Sequence, residues 1–127
     1  MDLQLIGVLD RGIPHLECVH LKVVNDCNLD RYMVCDTTYL DQNTMSNKLR
    51  HQYWFAHNNH VKCGSHVLLY SCKGTDKTAV HDGVSFHTFY WNLGHQIWNN
   101  TGDRAVLFQL AAWQSVAVNA ATLRKVA

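Results

Sequence analysis

A chain of 127 residues with a formal net charge of +1 and no block of like charges lacks the clustered basic face of a strong nucleic-acid binder. Its hydrophobic fraction of 47% and charged fraction of 17% suit a single soluble globular domain. No apolar run reaches the roughly 18 to 20 residues that span a bilayer.

The N-terminal "MDLQLIGVLDRG" opens with an acid and has no basic region, so it does not read as a signal peptide. Its "LQLIGVL", residues 3–9, is the first predicted strand, and Pro14 falls in the connector that follows. "ECVHLKVVN" (17–25) alternates, with Val19, Leu21 and Val23 on one face and Cys18, His20 and Lys22 on the other. After the turn signal "NDCNLD" comes "RYMVCD" (31–36), then "KLRHQYWF" (48–55), in which Leu49, His51, Tyr53 and Phe55 alternate. If Tyr53 and Phe55 point inward, Trp54 points out. His20 and His51, each opposite an apolar face, are expected at exposed or edge positions.

The "KCGS" turn leads into "SHVLLYSC" (65–72). "CKGTDK" then reads as a turn, with Gly74 for a positive φ and Thr75 or Asp76 bonding locally. "FHTFYW" (86–91), "RAVLFQL" (104–110) and "WQSVAVN" (113–119) complete eight short strands. The tail "AATLRKVA" reads as a short helix or a fraying end, and its Arg124–Lys125 pair as solvated. Helical periodicity is almost absent, and neither a linker nor an internal repeat occurs. The prediction is one all-β domain over residues 1–127, a sandwich or barrel with its core in 3–119.

"YWNLGHQIWNNTGDRAVLF" (90–108) gathers aromatic residues, a histidine and an Asn-Asn-x-Gly-Asp step before an apolar strand. Asn99, Asn100, Gly102 and Asp103 supply turn chemistry. Trp91 and Trp98 bury large rings, each indole N–H being expected to find a carbonyl. This segment, preceded by "HVLLYSCKGTD", resembles the lamin-tail domain family. "ECVHLKVVNDCNLDRYMVCD" is similar to that family's second and third strands, and "NNHVKCGSHVLLYS" to the turn before its next strand. Cys63 and Cys72 depart from the residues usual there, and no heptad rod is present, so the likeness is to a bacterial-type stand-alone module. The resemblance implies an immunoglobulin-like β-sandwich that contacts proteins and, in some members, DNA.

Nine histidines require a metal reading to be weighed. His57, His60, Cys63 and His66 recur every third residue and are all ligand types, but a loop, a turn and a strand are not expected to bring them together. His81, Asp82, His87, Asn92 and His95 form a second, nuclease-like set with thin carboxylate supply, since only Asp82 and Asp103 are acidic beyond residue 76. No nucleophile elbow, phosphate loop or dinucleotide fingerprint occurs. Five cysteines with no C-x-x-C pair point to free thiols in a reducing, cytoplasmic setting. The expectation is a non-enzymatic binding module without cofactor or metal. Trp54 and His95 are its candidate contacts, a protein its partner, and an edge strand a route to self-association. Its alternative is a zinc protein or metal-dependent hydrolase using residues 57–66.

Overall fold

The computed structural model describes residues 1–38, 44–46, 48–56, 58–98 and 102–118. The fold is all-β. In chain order the strands are β1 (Leu3–Leu9), β2 (Cys18–Val23), β3 (Cys27–Asn28), β4 (Tyr32–Thr38), β5 (His51–Trp54), β6 (His60–Val61), β7 (His66–Tyr70), β8 (Lys77–His81), β9 (Val84–Tyr90) and β10 (Asp103–Gln109). One 3₁₀ turn, Leu29–Arg31, is capped by the Asn28 side chain, which accepts the Asp30 N–H. No helix among the described residues is long and apolar enough to cross a membrane.

Five strands form one sheet in the order β1-β2-β7-β9-β8, three form a second in the order β10-β4-β5, and β3 pairs with β6. All neighbours are antiparallel except β7 and β9, which run parallel from His66↔Phe86 to Tyr70↔Tyr90. Between them in sequence, β8 folds back on β9 through a two-residue loop. Asp82 and Gly83 both take positive φ there, +51° and +78°, as a type I′ hairpin requires.

Alternation along the strands fills one core. Val19, Leu21 and Val23 of β2, Val67 and Leu69 of β7, and Phe89 of β9 meet Tyr32 and Val34 of β4 and Phe55 beyond β5. The two sheets thus contribute to one buried cluster, which Trp98 and Ile97 close from the loop before β10. Each such side chain adds about 1.5–3 kcal/mol on leaving water.

Seven of the eight predicted strands are present, as β1, β2, β4, β5, β7, β9 and β10. The eighth is not. Residues 113–118 carry no strand, with Val116 and Val118 almost fully exposed: Trp113 packs on Trp54, and no neighbour among the described residues offers the segment a ladder. Residue 119 and the tail 120–127 lie outside the described residues. Strands β3, β6 and β8 were not anticipated. The end of "CKGTDK" starts β8, and Gly74 does not take a positive φ. Its role is close approach: the Tyr90 ring lies where a Cβ at position 74 would stand.

Candidate functional site

The tryptophan corner is built around a buried carboxylate. Glu17, 2% exposed, sits just before β2 and accepts from three separate segments. Ser71 Oγ donates to its Oε2 at 2.5 Å and the Ile97 N–H at 2.9 Å, while the Gly12 and Trp98 N–H groups reach its Oε1 at 3.0 and 3.4 Å. The loop carrying Trp98 is therefore pinned to the β1–β2 connector by charge-assisted bonds. Trp98 is 1% exposed and packs at a tilt on Trp91, ring centroids 6.4 Å apart. Its indole N–H has no partner among the described residues, which corrects the expected carbonyl bond: burial of the ring, and not its polar edge, fixes it. Gly102 accepts from Thr38 Oγ1 at 3.0 Å, and Asp103, paired with Thr38, binds Arg50 Nη1 at 3.3 Å. Asn99 and Asn100 lie outside the described residues.

Beside it opens a cleft of about 260 Å³, whose lining includes His15, Glu17, Cys72, Lys73, Leu93 and His95. His15 holds φ +66°, a conformation costly for a residue with a Cβ. Exposed His95 also approaches His51, ring centroids 5.8 Å apart at 61°. His51 lies on the edge strand β5, as expected, and is held there by a carboxylate. Its Nδ1 lies 3.1 Å from both carboxylate oxygens of buried Asp36, and its backbone N–H donates to Asp36 Oδ1 at 2.6 Å. Nδ1 therefore faces the Asp36 carboxylate and fixes the orientation of the ring. This ordered imidazole beside a second one was missed from sequence because Asp36 sits inside a strand reading as core.

A different face carries the other candidate contact. Trp54 alternates outward as predicted, 39% exposed, between half-buried Tyr53 and buried Phe55. Its indole N–H donates to the Asp30 carbonyl at 2.7 Å. Trp113, 43% exposed, stands edge-on to it with centroids 4.8 Å apart at 87°. The Leu110 N–H bonds the Arg31 carbonyl at 2.7 Å, and Arg31 Nη1 reaches the Ala111 carbonyl. These bonds tie the segment before Trp113 to the turn before β4.

The other histidines and cysteines disperse. His60 Nε2 faces Asn28 Nδ2, the Cys63 thiol donates to the Val24 carbonyl, and His66 Nδ1 lies 2.9 Å from His20 Nε2. His57 lies outside the described residues. In the nuclease-like set, His87 pairs with Thr78, His81 packs on Phe86, and Asn92 bonds Gly74 and Tyr90. Neither set converges, and no group of three or more His, Cys, Asp or Glu side chains among the described residues could hold a metal ion. All five cysteines are free, and burial pushes the Cys18 and Cys35 thiols up to about 11, so neither is a thiolate nucleophile near neutral pH.

His20, on interior strand β2 and half-buried, has its pKa lowered by burial and by the neighbouring His66, and His87 is lowered by burial. The folded chain therefore holds both neutral below the ordinary 6.5, where the unfolded chain has protonated them. Their stabilisation is complete above about pH 6.5 and is lost as pH falls through the lowered values. Urea midpoints measured between pH 7 and pH 5 should decline, and less steeply in His20→Gln.

No family model, curated protein or solved structure matches the chain. The likeness to lamin-tail domains therefore rests on the quoted motifs.

Proposed function

We propose that the chain is a non-enzymatic recognition module, an immunoglobulin-like sandwich of the lamin-tail kind, that binds a protein partner through the patch around Trp54 and Trp113. The observation that supports it is two large aromatic residues left substantially exposed yet held in place. A solvated tryptophan has no packing reason to be ordered. Here one indole is anchored to the Asp30 carbonyl and the other stands edge-on against it. Rings fixed before binding lose little side-chain entropy on contact, and tryptophan is enriched among the residues that dominate interface energies.

Near-neutral net charge favours an apolar protein contact over a phosphate backbone. Five free thiols accord with a reducing, cytoplasmic setting. A metal centre on residues 57–66 is the weaker reading, because His60, Cys63 and His66 each turn to a different neighbour. Self-association would use β8, the terminal strand of its sheet, whose five residues are all exposed.

The test is comparative affinity enrichment with the wild-type chain, Trp54→Ala and Trp113→Ala as baits, followed by titration of any protein captured. Removing a central aromatic anchor should weaken binding by at least about 2 kcal/mol, roughly thirtyfold. Partners that bind all three baits equally would refute the assignment of this patch.

A further inference from the structure

The outer face of the five-stranded sheet carries a second imidazole pair, apart from the Trp54 patch. His20 lies on β2 and His66 on β7, interior strands that pair with each other from Cys18↔Tyr70 to Lys22↔His66. The two residues are diagonal neighbours across that ladder. Their side chains project away from the core, opposite to Val19, Leu21 and Val67. His20 Nε2 and His66 Nδ1 are 2.9 Å apart, with ring centroids 5.1 Å apart at 28°. Phe86 stacks on His66, centroids 4.9 Å apart at 14°, and limits that ring's rotation. Two flanking strands hold each backbone, so the spacing is a property of the scaffold.

We propose that His20 Nε2 and His66 Nδ1 chelate one divalent transition-metal ion, copper(II) or nickel(II). Metal–imidazole bonds of about 2.0–2.1 Å put two nitrogens about 2.9 Å apart when they subtend a right angle and about 3.3 Å when tetrahedral. The observed 2.9 Å is the hydrogen bond of the metal-free pair; it keeps the two nitrogens within the reach of cis ligands of one ion, and copper(II) and nickel(II) are the ions that take imidazole in square-planar or tetragonal sites.

Binding needs a lone pair on both facing nitrogens. In the metal-free pair one proton lies between them. It leaves that nitrogen while the other nitrogen of the same ring takes one up from solvent, so neutral imidazoles release no net proton. Each ring then carries its N–H on the outer nitrogen, His20 on Nδ1 and His66 on Nε2. The half-buried rings leave the remaining coordination positions to water or an exogenous donor. Lys22, directly opposite His66, is the opposing charge and sets an upper limit on affinity.

The test uses the whole chain, with copper(II) followed by electron paramagnetic resonance and nickel(II) by thermal unfolding. The expected result is one copper(II) per chain with two equatorial imidazole nitrogens, and an upward shift of the unfolding temperature with nickel(II). His20→Ala and His66→Gln should each lower copper(II) affinity at least about tenfold, since the second ligand no longer binds intramolecularly. His60→Ala should leave it unchanged. Metal-free circular dichroism checks that the variants fold, and Lys22→Ala, which removes the opposing charge and neither ligand, should tighten binding. Equal copper(II) affinity in wild type and both folded histidine variants, or loss of the site in His60→Ala, would mean an adventitious surface ion only and overturn the proposal. Preference for zinc(II) over both copper(II) and nickel(II) would overturn the assignment of the ion.

Discussion

Replacing Glu17 with alanine is expected to destabilise the fold by at least about 3 kcal/mol, because it strands several buried donors at once. Ser71 Oγ and the Ile97, Trp98 and Gly12 N–H groups all point at the one carboxylate. Ser71, Ile97 and Trp98 are buried, so water cannot simply replace it. The loop that places Trp98 then loses its attachment to the β1–β2 connector. Glu17→Gln keeps the shape but offers only one acceptor oxygen, and should cost less than alanine and more than a surface change. Urea unfolding followed by circular dichroism reads both values. A Glu17→Ala midpoint close to that of wild type would show that the loop holds through packing alone.

Trp98→Ala should cost about 3–5 kcal/mol, the range for emptying a core site of an aromatic ring. The cavity would open beside the tilted Trp91 ring, within the cluster that also holds Ile97 and Phe89. Trp98→Phe separates two contributions. The indole N–H has no partner among the described residues, so phenylalanine loses volume but no hydrogen bond, and about 1–2 kcal/mol is expected. If the two substitutions cost the same, the polar edge of the indole shares in the anchoring.

Most of the strand framework was legible because its signal is local. β2 and β7 alternate so regularly that Val19, Leu21, Val23, Val67 and Leu69 declare an inner face. The outward placement of Trp54 followed from Tyr53 and Phe55 on either side. What stayed hidden depends on tertiary partners. β3 and β6 are two residues each and exist through one another, too short for any period to register. β8 is exposed on both faces and has no apolar stripe, although the Asp82-Gly83 step is a hairpin signal that could have revealed it. In the opposite direction, "WQSVAVN" has a strand-like pattern but no ladder beside it among the described residues, and Trp113 settles on Trp54.

The sites follow the same division. Turn chemistry at Gly102–Asp103 and the burial of Trp98 could be read from residue type. Glu17 could not, because a glutamate ahead of a strand looks solvated until residues 71, 97 and 98 arrive around it. The Asp36–His51 and His20–His66 pairs join neighbouring strands, and a single sequence does not announce which strands are neighbours. Histidines that seemed scattered along the chain are sorted into pairs by sheet order.

The register between β4 and β10, from Thr38↔Asp103 to Tyr32↔Gln109, also bears on how the fold is reached. During synthesis the middle strand of the smaller sheet emerges some 65 residues before the strand that covers one of its edges. Until then that flank stays open, with Val34 and Cys35 lacking half of their ladder. Pairings so distant in sequence carry a large loop-closure cost and slow the final docking step. Nascent chains halted before the closing strand would therefore be the aggregation-prone species.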